Sequence, residues 1–103
     1  MQRLNKRITI QEYVEYKTDE GMYIKEWKDK ATVWASIKNL HGGEFFQAQA
    51  VNSKATCKIT IRYIRDIDTS MRIKYNKKFY NIVYLDDINE RHEYIEALCE
   101  IRQ

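Results

Sequence analysis

Apolar and polar residues alternate along most of this chain, and no other property of the sequence restricts its fold so sharply. Ile8, Ile10 and Val14 oppose Arg7, Thr9, Gln11 and Glu15, with Glu12 the one charge on the apolar side. Ala31, Val33, Ala35 and Ile37 alternate with Thr32, Trp34, Ser36 and Lys38, and Cys57, Ile59, Ile61 and Tyr63 with Lys58, Thr60 and Arg62. A period of two puts each set on one face of a strand. Residues 71–75 and 79–85 form two more strands around Asn76, Lys77 and Lys78, a connection of hairpin length without the usual glycine. Over residues 94–102, Ile95, Ala97, Cys99 and Ile101 alternate as a strand would, while Glu96 and Glu100 stand one helical turn apart; we take the strand. Asp19, Glu20 and Gly21 mark a turn after the first strand. Six short strands, 23 residues of valine, isoleucine and threonine, and no proline predict an all-β fold, a sandwich or a small barrel of about six strands. Closure would protect such strands from edge pairing. With 103 residues the chain has room for one core, so residues 1–103 are read as a single domain.

The alternation breaks at "NLHGGEFFQAQAVNSK", residues 39–54. Two of the three glycines, Gly42 and Gly43, stand together there, followed by Glu44, Phe45, Phe46 and an alanine and glutamine run that closes at Lys54. Paired glycines reach backbone angles closed to other residues, and Glu44 suits a helix N-terminus. The stretch therefore predicts an insertion at about residues 40–56 carrying a short helix over residues 44–52. Phe46 and Ala50 would share one face and Phe45, Ala48 and Gln49 another. Such a segment packs over the open end of its own barrel, docks on a neighbour, or moves on its glycine hinge.

Catalytic signals are sparse. His41 and His92 are the only imidazole bases, and neither neighbours a serine or cysteine in a recognisable arrangement. Asp86 and Asp87 are adjacent, so on a strand they point to opposite faces rather than forming a carboxylate pair. Cys57 and Cys99 belong to no CxxC pair or Cys/His cluster and are expected as buried reduced thiols. No metal-ligand spacing and no glycine-rich phosphate loop is present. We expect neither an enzyme nor a cofactor. No apolar stretch follows MQRLNKR, and the longest uncharged run, residues 45–53, is too short to cross a bilayer, so the chain is expected to be soluble and intracellular, without a membrane partner.

The net charge of +3 is unevenly spread: residues 38–78 carry nine basic and three acidic groups, residues 79–103 two and six. That asymmetry predicts a dipolar surface whose centre meets something acidic. Lys58 and Arg62 project from one strand, and Lys74, Lys77 and Lys78 cluster at the hairpin. With Tyr75 and Tyr80 as stacking faces, these would suit an OB-like barrel that binds single-stranded nucleic acid.

Over almost its whole length the sequence also resembles the head-tail joining (head-closure or head-tail adaptor) proteins of tailed bacteriophages. The pieces that carry the likeness are "LNKRITIQEY", "VWASIKNLHGGEFFQA", "KITIRYIRDI", "RIKYNKKFYNI" and "ERHEYIEALCE". The resemblance implies a small β-barrel assembled as a ring with its own copies, typically twelve, beneath the portal and adaptor proteins in the virion. That ring closes the head after DNA packaging and offers a docking surface to a tail-completion or tail-terminator protein. Before assembly the subunit would sit in the host cytoplasm. By position, Leu40 to Lys54 would be the segment that faces the channel, contacts DNA transiently and gates its release. Lys58, Arg62, Lys74, Lys77 and Lys78 would face DNA or neighbouring subunits.

Overall fold

The computed structural model describes residues 3–102. Six strands, β1 (Lys6–Lys17), β2 (Tyr23–Asn39), β3 (Cys57–Arg62), β4 (Arg72–Tyr75), β5 (Lys78–Asp87) and β6 (Tyr94–Arg102), form a closed antiparallel barrel in the order β1-β2-β3-β6-β5-β4. Helix α1 (Gly42–Val51) joins β2 to β3, and a single 3-10 turn, Ile88–Glu90, lies between β5 and β6. The predicted strands are therefore all present, including the last one. The helix starts two residues earlier than the alternation break suggested and ends at Val51.

Inward-facing residues fill the barrel: Ile8, Ile10, Ile59, Ile61 and Ile73 are fully buried. Each isoleucine removed from water contributes roughly 1.5–3 kcal/mol, and branching at Cβ suits the pleated wall. Cys57 and Cys99 are direct partners across β3 and β6 and are free thiols inside this core. The hydrogen bond with Cys57, together with burial, raises the Cys99 thiol well above its ordinary pKa. The β4–β5 connection dispenses with glycine because Asn76 and Lys77 themselves adopt left-handed angles (φ 49° and 68°), the pattern of a two-residue hairpin turn.

β1 and β2 outrun the barrel. β4 reaches β1 only at Thr9, Ile10 and Gln11, and there the β1–β2 register shifts: Ile10 faces Ala31 while Gln11 faces Asp29, leaving Lys30 as the extra residue of a bulge. Beyond it, residues 12–17 and 23–28 pair only with each other. They form a two-stranded ribbon whose turn is closed by the Thr18 N–H donating to the Met22 carbonyl (2.7 Å), with Gly21 at φ 87°. The molecule accordingly measures 53 × 26 × 26 Å. Glu12, the exception in the first strand, lies where the ribbon leaves the barrel and pairs with Lys30 at 3.8 Å.

Arg72 anchors the ribbon's base. Its guanidinium lies between Trp27 (4.3 Å) and Phe79 (4.1 Å). Its Nε donates to Gln11 Oε1 at 2.8 Å, and Gln11 Nε2 donates to Asp29 Oδ1 at 2.8 Å. One side chain of β4 thus holds β1, β2 and β5 together beside the short seam. Arg72→Ala is expected to cost about 1–3 kcal/mol, from the lost stacking and an orphaned Gln11. Thermal denaturation reads the loss. Hydrogen exchange should show it concentrated in amides 12–17 and 23–28, whereas equal loss of protection in β3 and β6 would show that Arg72 supports the whole barrel instead.

Candidate functional site

The insertion forms a helix seated on the outer wall. Leu40, Ala48 and Ala55 are buried together, with Phe45, Val83 and Leu98 packed around them. Leu98 alternates with the buried Ala97 and Cys99, so it points out of the barrel and the helix covers a side rather than the open end. Phe46 does not contribute to this seat: it is 73% exposed, and Val51 is exposed as well. Phe45 lies edge-on to Phe46, with 5.9 Å between ring centroids. At the helix start Gly42 holds φ 62° while Gly43 does not need a left-handed angle, and a Cβ added at either would meet open space. His41 gives no side-chain cap.

Polar bonds hold the two ends of the insertion. Lys38 donates to Glu44 at 2.9 Å, and this bond lowers the Glu44 pKa although the group is exposed. At the far end Asn52 donates its backbone N–H to Ala48 and its side-chain amide to the Val83 carbonyl (3.5 Å), and it accepts from the Lys54 N–H (2.9 Å). Gln49 donates to the Ala55 carbonyl.

The basic residues singled out in the sequence do not form one patch. In a six-stranded barrel of this order β3 and β4 stand three strands apart in either direction. Lys58 and Arg62 therefore lie on one wall and Lys74 on the wall opposite, with Lys77 and Lys78 at the β4–β5 hairpin, also away from β3. The basic middle and acidic tail of the sequence do not make two poles either, because β6 runs beside β3 and brings Glu96 to 3.9 Å from Lys58. The expected stacking faces are also displaced. Tyr80 is only 5% exposed, and burial raises its phenol pKa; Tyr75 is half-buried against the core.

Of the titratable pairs, His92 Nδ1 lies 2.7 Å from Asp87 Oδ2, and its backbone N–H donates to Oδ1 of the same carboxylate. With the His92 ring against Tyr63 at 4.6 Å, this pair closes the loop between β5 and β6. Neither thiol accompanies it, since both lie inside the barrel.

Two surfaces were not read from the sequence. Arg7 of β1 is the register partner of Trp34 of β2, and Arg62 of β3 that of Tyr94 of β6. Because Ala35 faces Ile61, Trp34 and Arg62 are next to each other in the adjoining row. The four side chains thus form an outward row across four strands, with Arg7 5.1 Å from the Trp34 ring and Arg62 5.7 Å from the Tyr94 ring. They line a groove of about 630 Å³ together with Leu4 and Ile64. The second surface is the ribbon, where Tyr13, Tyr16, Met22 and Tyr23 are exposed. The outward alternation around Trp34 and Arg62 was a signal for the row. The cross-strand register that aligns them was not in the sequence.

This architecture has known counterparts. A model of the family described as phage head completion protein matches residues 1–102. Head completion protein gp16 of Bacillus phage SPP1 is 30% identical over 76 residues, which cover 74% of this chain and 70% of that protein. Among solved structures, protein SF1141 from Shigella flexneri 2a has a TM-score of 0.77 at 31% identity, over 95% of this chain and 92% of its own. A chain of the native gene transfer agent virion shares the fold, with a TM-score of 0.66 at 18% identity over 96% and 94%. With a closed six-stranded barrel, an inserted helix and a family match spanning residues 1–102, this chain belongs to the phage head completion protein family, structural proteins of the virion that join head to tail.

Proposed function

We propose that the chain is one subunit of a ring, of about twelve copies, that closes the head channel after DNA packaging and presents the surface on which the tail docks. Its partners in this reading are the portal or adaptor protein above, a tail-completion or terminator protein below, and its own copies on either side. Contact with DNA in the channel is transient. A channel that must release DNA quickly should not hold its phosphates tightly, and basic residues split between opposite walls suit that need better than a single dense patch.

The observation that carries the gating role is how lightly α1 is seated. Ala48 is the one fully buried helix residue and Phe45 is partly buried beside it, so the seat holds the helix by one methyl, about 0.8 kcal/mol, and part of one ring. A ten-residue helix is marginal on its own. Leaving the seat therefore gives up little apolar burial beside the polar bonds at its two ends, and side chains added at Gly42 and Gly43 would meet no neighbouring atom. The alternative, a dedicated single-strand binder, loses Tyr80, one of its two expected stacking faces, to the barrel interior.

The reading is tested in particles. Phage lacking this chain should yield filled heads that leak DNA and do not join tails, as counted in electron micrographs. Stable, tailed, infectious particles without it would overturn the assignment. Substituting both Gly42 and Gly43 with valine places a branched residue at φ 62°, a strain of about 1–3 kcal/mol that biases α1 away from its seat. The double variant should melt cooperatively and occupy vertices, yet leak DNA or fail to eject it; normal retention and ejection would make α1 a fixed wall element.

The Lys38–Glu44 bond adds a pH dependence. A glutamate whose folded pKa lies below its ordinary 4.5 contributes stability that is fully present above that value and lost as pH falls through the lowered one. The α1 amides should therefore exchange faster in acid relative to barrel amides, and Lys38→Ala should remove that difference while slightly loosening α1 at neutral pH.

A further inference from the structure

We propose that the Arg7–Trp34–Arg62–Tyr94 row of one copy receives the β1–β2 ribbon of a second copy, so that subunits join head to tail. The inference rests on the ring reading above and specifies its subunit contact.

The row is built to be covered. Trp34 is 52% exposed and both arginines are exposed. Among the described residues neither guanidinium has a carboxylate within 4.0 Å. Tryptophan, tyrosine and arginine are the residue types that dominate the energetics of protein interfaces, because they combine large planar area with fixed donors. A guanidinium without an acid presents its donor fork to a carboxylate from elsewhere.

The ribbon is the complementary surface, and it belongs to the same sequence. An isolated two-stranded ribbon is marginal in water, yet this one leaves Tyr23 70%, Met22 62% and Tyr13 50% exposed. Its outer end, residues 15–25, holds three exposed carboxylates, Glu15, Asp19 and Glu20, against two lysines, Lys17 and Lys25, and Lys25 is the register partner of Glu15, so Asp19 and Glu20 at the turn carry the excess acid. Lys17 stands 5.8 Å from the centre of the Tyr23 ring. Among the described residues none of the three carboxylates has an ion-pair partner. Acidic groups beside Met22 and Tyr23 meet arginines beside Trp34 and Tyr94, so charge and apolar surface are matched together.

Geometry excludes the chain's own row as the seat. The ribbon continues away from the barrel for roughly 20 Å at about 3.3 Å per residue, along the 53 Å axis of the molecule. Its tip cannot return to the wall it left. A row about 14 Å wide, three strand spacings, accommodates a two-stranded ribbon. A contact between different patches of identical subunits is heterologous, and it closes into a ring when the rotation permits.

Charge exchange tests this. One variant carries Arg7→Glu and Arg62→Glu, a second carries Asp19→Lys and Glu20→Lys, and a third carries all four changes. Sedimentation velocity on the purified chains up to millimolar concentration reads self-association, and complementation of phage lacking the chain reads assembly. Each double variant should associate about tenfold or more weakly than the native chain and yield few tailed, filled particles. The fourfold variant should recover both. So should an equal mixture of the two double variants, in which every contact can pair unlike charges. Thermal melting checks that each variant is folded; if glutamate at 62 unfolds the chain, Arg7→Gln with Arg62→Gln replaces it in the loss arm.

Unchanged association and assembly in both double variants would overturn the proposal, as would loss without recovery in the fourfold variant. A labelled 20-nucleotide single strand, bound by the native chain and not by the arginine variant while self-association stays intact, would reassign the row to nucleic acid and also overturn it. Either failure leaves the ring reading standing as long as the native chain is still required for tailed particles.

Discussion

Everything in this molecule depends on closing a barrel through a seam of three residues. β4 has four residues, and only Arg72, Ile73 and Lys74 pair with β1. Without that seam the sheet would have two open edges, and open edges invite pairing with other chains. Ile73 and Ile10 face each other across it, both fully buried. Outside, Gln11, Arg72, Trp27 and Phe79 cover it with hydrogen bonds and stacked planes. So short a ladder makes the side chains on both faces as important as the backbone bonds.

The seam also sets the outline of the molecule. Because β4 stops at Gln11, β1 and β2 have no third strand beyond it, and the bulge at Lys30 marks the departure. The same strands that make the wall therefore make the ribbon, so the barrel and its longest projection are rigidly connected. At the other end β2 and β3 are bridged by α1, which lies on the outer wall against Leu98 and Val83. The two projecting features thus differ physically. The ribbon is continuous with the sheet ladder, while the helix is held by a small apolar seat and a few polar bonds at its ends.

Much of the barrel was legible in the residues because its walls have a dry face and a wet one. Cys57 to Ile61 and Ile95 to Cys99 alternate as they do because every second side chain enters the core, and a shift by one residue would bury Lys58 or Glu96. The ribbon was not legible for the opposite reason. Residues 23–30 have water on both faces, so Tyr23, Lys25, Trp27 and Lys28 show no period of two, and β2 begins well before its alternation does. The place of Phe46 was not legible either: its ring would suit a core or a surface, and the helix turns it to solvent. The candidate surfaces depended on pairing more than on pattern. Lys58 and Lys74 are both outward in their own strands, yet strand order sets them on opposite walls.

The sequence by itself determined the number of the strands, most of the buried set, the place of the insertion and the poverty of catalytic groups. Those are properties of local periodicity and residue type, which the chain carries wherever it folds. Only the tertiary structure decided which strands are neighbours, in what register, and where the sheet runs out of partners. Trp34 and Arg62 are 28 positions apart in the chain and adjacent on the wall. Such proximity is created by long-range hydrogen bonding between strands, which constrains residues distant in sequence and leaves no periodic mark on either.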